Sequence, residues 1–387
     1  MFMRDPKRRS PDVSDDPLDV DETPDLSSSM PKKRWTKLHQ LLHDNHGVRY
    51  FVMALAVIIA GGLVVLNLMR PDSDTSTRAT GIMVPPKEPA KVYYSPLTGA
   101  ATEQAKTTRP ITAIMIENST DARPQSGLKD AGIVYEAVAE GGITRFLALY
   151  QESRPSLIGP VRSVRPYYVE WASAYDPAVA HVGGSQHALT MIRSGNYGVD
   201  MDEFFNPKTL WRVNDRAAPH NVYTSFDALD ALVAAKGKTA STFTAFKRAD
   251  GKKSDAPTAT SIDIAVSSGQ FAVHYAYDAG SNTYLRSHGS TPHVDREAGQ
   301  IAPAVVVAIK VNESTALEGD GYREQITTTG SGTAYVFQNG LVTEGTWSRD
   351  GEKSPLLLKD SAGNELTLNR GQTWITALST SRSVSWQ

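Results

Sequence analysis

Ten residues of the chain have types and surroundings suited to chemistry: Glu117, Arg123, Glu136, Glu140, Arg145, Arg162, Arg165, His181, Ser185 and His220. Glu136 and Glu140 fall four apart on one face of an alternating run, about 13 Å from each other at strand rise. Paired glycosidase carboxylates stand about 5–9.5 Å apart. Without a bulge the two cannot form such a pair, although either can act with Glu117. Carboxylates this close to a core need partners, and Arg123, Arg145, Arg162 and Arg165 supply them. Arg162 and Arg165 stand at the start of a helix that Pro166 opens, where guanidinium groups and free N–H groups suit an anion. His181-Val182-Gly183-Gly184-Ser185 reads as a strand end, a turn and a helix start, a geometry that suits an oxyanion. It lacks the lysine of a P-loop and the spacing of a nucleophile elbow, so Ser185 is expected to be an N-cap. His181 and His220 suit proton transfer or a hydrogen-bonded structural role. Asp200, Asp202 and Glu203 lack the spacing of a calcium loop, and no metal or cofactor is expected. Tyr335, Trp347 and Trp374 can stack on a sugar, but strand aromatics more often fill a core.

The elements that must position these groups centre on Arg109–Phe146. Ile111–Ile116 is nearly continuous apolar, like a strand buried on both faces. Asp121–Gly127 has turn chemistry. Ile133–Glu140 alternates, Gly141-Gly142 signals a hairpin, and Ile143–Tyr150 returns. Helices are expected over Tyr167–Tyr175, Gln186–Arg193 and Phe226–Ala235, with a long loop over Asn196–Arg216. From Ser261 onward the pattern becomes short strands punctuated by glycine, with Asn339-Gly340 as a hairpin turn. The fold class expected is α+β: a mixed α/β domain over 93–238, a connector over 239–255 and a smaller β-rich domain over 256–387.

The segments before these differ in kind. Residues 1–49 open with an Asp/Pro/Ser-rich stretch that cannot offset its ordering entropy, so a disordered, basic cytoplasmic tail is expected. Residues 50–69 contain the apolar run Tyr50–Leu68, about 29 Å long as a helix and close to a bilayer core. A single transmembrane anchor follows from it, and Lys32, Lys33, Arg34 and Lys37 before the run put the N-terminus in the cytoplasm. Residues 70–92 read as an extended linker. Charge is nearly balanced, with 40 Lys and Arg against 42 Asp and Glu, so nothing points to nucleic acid. The 387 residues include no cysteine, which excludes disulfides, thiolate sites and a lipidated cysteine.

An ordered set of segments carries a family resemblance: Arg123–Gly127, Ile133–Glu136, Glu140–Phe146, Ile158–Ser163, His181–Ser185, Ala218–Asn221, Gly332, Phe337–Gly340, Gly345–Trp347 and Gly371–Trp374. In these the chain resembles the DUF3048 family, from about Tyr93 to Leu378. The resemblance implies a bacterial cell-envelope protein with an α/β first domain and a smaller second one, and no activity. Family members that are lipoproteins need the cysteine this chain lacks. Together these readings point to an extracytoplasmic protein that binds an anionic or hydroxylated envelope ligand such as a cell-wall fragment. The alternatives are a hydrolase of a cell-wall polymer with a Glu/His acid–base, and a module that recognises another envelope protein.

Overall fold

A computed structural model describes residues 91–387, residue 320 apart. The expected tail over 1–49, the anchor over 50–69 and nearly all of the 70–92 linker lie outside the described residues. Among those described, no helix is long and apolar enough to cross a membrane.

The described part is mostly β, with three short α-helices. The strands of its two larger sheets are β1 Thr112–Glu117, β2 Ile133–Glu140, β3 Ile143–Tyr150, β4 Ala178–His181, β5 Val199–Asp202, β6 Ser261–Ile264, β7 Val273–Asp278, β8 Thr283–His288, β9 Thr291–Pro292, β10 Val305–Val311, β11 Gly330–Gln338, β12 Leu341–Arg349, β13 Leu357–Asp360, β14 Thr373–Ser379 and β15 Val384–Trp386. The helices are α1 Pro166–Ser173, α2 Gln186–Arg193 and α3 Phe226–Ala235. Ten strands form one mixed sheet in the order β13-β12-β11-β10-β14-β2-β3-β1-β4-β5. A five-stranded antiparallel sheet has the order β9-β8-β7-β6-β15.

The large sheet joins the two segments expected as separate domains. The late strand β14 runs parallel to β2, with Thr373 beside Ile133 and Thr376 beside Glu136. On its other side it runs parallel to β10. The boundary at 239–255 is therefore one of sequence that the strand pairing does not follow. Asn196–Arg216, expected as a loop, contributes the edge strand β5, parallel to β4.

Side-chain alternation gives the sheet two apolar faces. Ala113, Met115, Tyr135, Leu147 and Leu149 pack with Tyr168 and Trp171 of α1 and Ile192 of α2. Ile114, Ile116, Val134, Phe146 and Ala148 pack with Leu229 of α3 and with Ile262, Tyr275 and Tyr284 of the smaller sheet. All six residues of β1 are buried, as its continuous apolar pattern requires. Gly141 and Gly142 make the β2–β3 turn with φ of 54° and 80°, a region that glycine enters without strain.

Candidate functional site

The alternation sorts the ten sequence-expected residues onto opposite faces of the sheet, and they do not line one cleft. Glu117 at the end of β1 and Arg145 near the start of β3 are Cα partners and continue the helix-side rows of Met115 and Leu147. Glu136 lies in the row of Val134, on the face toward the smaller sheet.

On the helix side three segments meet. Residues 158–164 run between the end of β1 and residues 222–224: Ile116 bridges Val161, the Glu117 N–H donates to the Pro160 carbonyl, and the Val161 N–H donates to that of Val222. This wedge sets Arg162 beside Glu117 and brings the turn before Val222 over both. His220 Nδ1 lies 2.9 Å from Glu117 Oε2, and Arg162 Nε lies 3.3 Å from the same oxygen. The Ser119 hydroxyl donates to Glu117 Oε1 at 3.0 Å. A carboxylate only accepts, so His220 donates from Nδ1 and its Nε2 has no protein partner among the described residues. Glu117 is buried while His220 and Arg162 keep a solvent-facing edge. Burial lowers the pKa of Arg162, as does repulsion from Arg145 and Arg212; attraction to Glu117 opposes them. Arg145 itself donates to the Ser163 carbonyl at 2.7 Å. Arg212 has its own acid, Glu203, at 3.6 Å. Three guanidinium groups thus stand against two carboxylates.

Other expected members turn elsewhere. A bulge between Val138 and Glu140 shifts the register of β2. Glu140 is thereby turned out of the Glu136 row and pairs with Arg165, which also donates to the Val164 carbonyl. Arg162 and Arg165 consequently point to different acids and do not grip one anion. His181 is fully buried with both ring nitrogens engaged, by the Gly183 carbonyl and by Asp200 Oδ1. Burial pushes the Asp200 carboxyl up, but the bond from His181 and the attraction of His181 and Arg193 outweigh it, so its pKa is lowered. Asp202 holds the Gly183 N–H and Arg193. The acidic cluster is thus spent on protein partners. Ser185 is the N-cap of α2 and accepts from the Ala188 N–H. Trp347 and Trp374 are core residues, not a sugar platform.

On the opposite face Glu136 is fully buried, and its partner is Arg286 of β8 at 2.8 Å, not one of the four arginines expected. A closed hydrogen-bonded ring runs through this pair. Thr144 donates to Glu136 Oε1 (3.1 Å), Asn118 to Thr144 (2.7 Å) and Gln125 to Asn118 (3.2 Å). His293 meets Gln125 at 2.9 Å and also Arg286, which closes on Glu136. Arginine only donates, so His293 accepts at Nδ1 and donates from Nε2, and both arms of the ring run from Arg286, which donates twice, to Glu136, which accepts twice. Trp374 adds a second donor to Glu136 Oε2, at 2.9 Å. Burial, then the adjacent Arg286 and His288, push the His293 pKa far below the ordinary histidine value. Arg286, His288 and His293 carry no motif. The only sequence signal is the alternation of Tyr284, Arg286 and His288 along one strand, which sets an arginine in an inward row.

Two family models cover most of this fold: Protein of unknown function (DUF3048) N-terminal domain, over residues 97–241, and Protein of unknown function (DUF3048) C-terminal domain, over 262–375. A Bacillus subtilis (strain 168) protein named as a candidate lipoprotein, YerB, is 36% identical over 294 residues, which are 74% of this chain and 86% of that protein. A crystal structure of YerB from Bacillus subtilis superposes with a TM-score of 0.68 at 31% identity, covering 76% of this chain and 99% of that one. The chain belongs to the DUF3048 family.

Proposed function

We propose that the protein is anchored in the cell membrane through residues 50–69, with residues 91–387 outside the cytoplasm, and binds an anionic or hydroxylated envelope ligand at Glu117, Arg162 and His220. The apolar run Tyr50–Leu68, with basic residues before it, supports the anchor and its orientation. The lipoprotein name of the Bacillus subtilis relative supports a place in the envelope. The observation that carries the ligand class is the excess of cations at the cluster. Burial lowers the Arg162 pKa and repulsion from Arg145 and Arg212 adds to it, while Glu117, the one carboxylate at Arg162 among the described residues, is shared with His220. An added anion relieves that repulsion.

The test is binding of soluble anionic cell-wall fragments to the full-length protein in detergent. Arg162→Gln is expected to weaken binding at least about tenfold. Unchanged affinity in folded Arg162→Gln and His220→Asn proteins would remove the cluster from the site. One observation favours a second reading as a hydrolase: the Glu117–His220 pair leaves the His220 Nε2 lone pair outward. That is the arrangement of an oriented general base, which takes a proton from an attacking water while Arg162 faces the developing oxyanion. Incubation with cell-wall polymer that yields no new chain ends would eliminate this second reading and leave the binder.

A further inference from the structure

The face opposite this cluster holds a cavity of about 390 Å³, among whose lining residues are Arg123, Pro124, Gln270, His288, His293 and Val294. We propose that it is a second binding site, independent of the Glu117–Arg162–His220 cluster, and that it takes a single carboxylate carried on a small apolar body.

Charge defines the anion. Arg123 donates to Asn118 Oδ1 and the Asn118 carbonyl, each at 3.0 Å, and to the Gln270 carbonyl at 3.3 Å. All three acceptors are neutral, and no carboxylate pairs with Arg123 among the described residues. The nearby acid, Glu136, is already held by Arg286, Trp374 and Thr144. Burial and repulsion from Arg286 lower the Arg123 pKa to about 10, which still leaves it a cation at neutral pH. Arg123, Arg286 and Glu136 sum to one uncompensated positive charge beside the cavity, which suits a monoanion.

Burial keeps both imidazoles neutral, so they add no charge to that balance. Arg286 Nη1 donates to His293 Nδ1 and lies 3.1 Å from His288 Nε2, so both ring nitrogens accept. The His288 proton is then on Nδ1, a buried atom without a hydrogen-bond partner. A carboxylate in the cavity would supply the counter-charge that Arg123 lacks. The rest of the wall is mixed: beside Thr120, Gln270 and Thr291, its apolar part is Pro124, Pro292, Val294 and the flat imidazole faces. Inorganic phosphate has no apolar part to cover them, whereas an apolar acid does. The volume is at the lower end of the roughly 300–1,000 Å³ common for small-molecule sites.

Two sources carry this chemistry, a free small acid and the C-terminal end of a peptide. The experiment is calorimetric titration of the full-length protein in detergent with N-acetyl-leucine, its amide N-acetyl-leucinamide, and the tripeptide Ala-Ala-Leu with a free carboxylate. N-acetyl-leucine is expected to bind, and the amide at least about tenfold more weakly. Arg123→Gln and Val294→Trp should each weaken the acid at least about tenfold, while Arg162→Gln leaves it unchanged. Val294→Trp removes no side-chain hydrogen bond, so it decides the matter if Arg123→Gln fails to fold. Tripeptide binding as tight as the acid assigns a peptide end, and tripeptide exclusion assigns a free acid. Equal affinity for acid and amide overturns the proposal. So does acid binding that survives both cavity variants, or no acid binding up to about 10 mM.

Discussion

Glu136 is a fully buried carboxylate, and its charge is tolerable because Arg286, Trp374 and Thr144 all donate to it. Glu136→Ala leaves the Arg286 cation buried and unpaired, and a loss of about 3–5 kcal/mol of stability is expected. The double change Glu136→Gln with Arg286→Met removes both charges and should cost clearly less, as denaturant midpoints of the two proteins will tell. The same ring makes stability depend on pH. Burial and the neighbouring Arg286 hold His288 and His293 neutral, with pKa values below the ordinary 6.5. Their contribution is complete above the unfolded pKa and declines as pH falls below it, because the unfolded chain takes up protons that the folded rings refuse. The slope is up to about 1.4 kcal/mol per pH unit for each ring. His293→Gln removes one of the two contributions, so unfolding free energy measured from about pH 7 to 5 should fall less steeply in the variant. An identical slope would mean that His293 is not held neutral.

At the scale of elements, the β2–β3 hairpin decides which acids face which side. Its glycines have positive φ, and a Cβ on Gly142 would stand 2.9 Å from the Ser267 hydroxyl. Gly142→Val therefore meets both a backbone penalty and a close contact, and should destabilise the fold by about 1 kcal/mol or more. A melting temperature equal to that of the parent would contradict the turn geometry. The bulge one turn earlier explains why alternation misplaced Glu140. An extra residue re-aims the strand end, and Arg165 receives a carboxylate that a regular strand would have kept in the Glu136 row.

At the scale of the molecule, β14 lies between β2 and β10 and pairs with both. A fragment that ends at Ser241 keeps β2 but loses the strand beside it, together with Arg286 and Trp374, which satisfy Glu136. Such a fragment is expected to show no cooperative melt, whereas the complete chain unfolds in one transition across the sheet. A cooperative transition in the fragment would show that the first segment folds independently. The anchor is tested separately by a reporter fused after Gln387 that is active only outside the cytoplasm. Reporter activity confined to the cytoplasm of intact cells would reverse the orientation.

Local pattern alone determined the β2–β3 hairpin, the fully buried strand β1, the spans of α2 and α3 and the Ser185 cap. Each rests on side-chain periodicity or turn chemistry within a few residues. The meeting of Glu117 with Arg162 and His220 was legible in part, because all three lie at strand ends or beside turns, where polar side chains gather. Partner choice was not legible. Which arginine answers Glu136 depends on β8, some 150 residues later, and on a bulge that no periodicity announces. Ion pairs are short-ranged, and the chain brings distant residues within about 4 Å only after the sheet has closed. Tertiary structure therefore decided the faces: it put Glu117 and Glu136 on opposite sides of one sheet and built the Arg123 cavity from three segments separated in the chain.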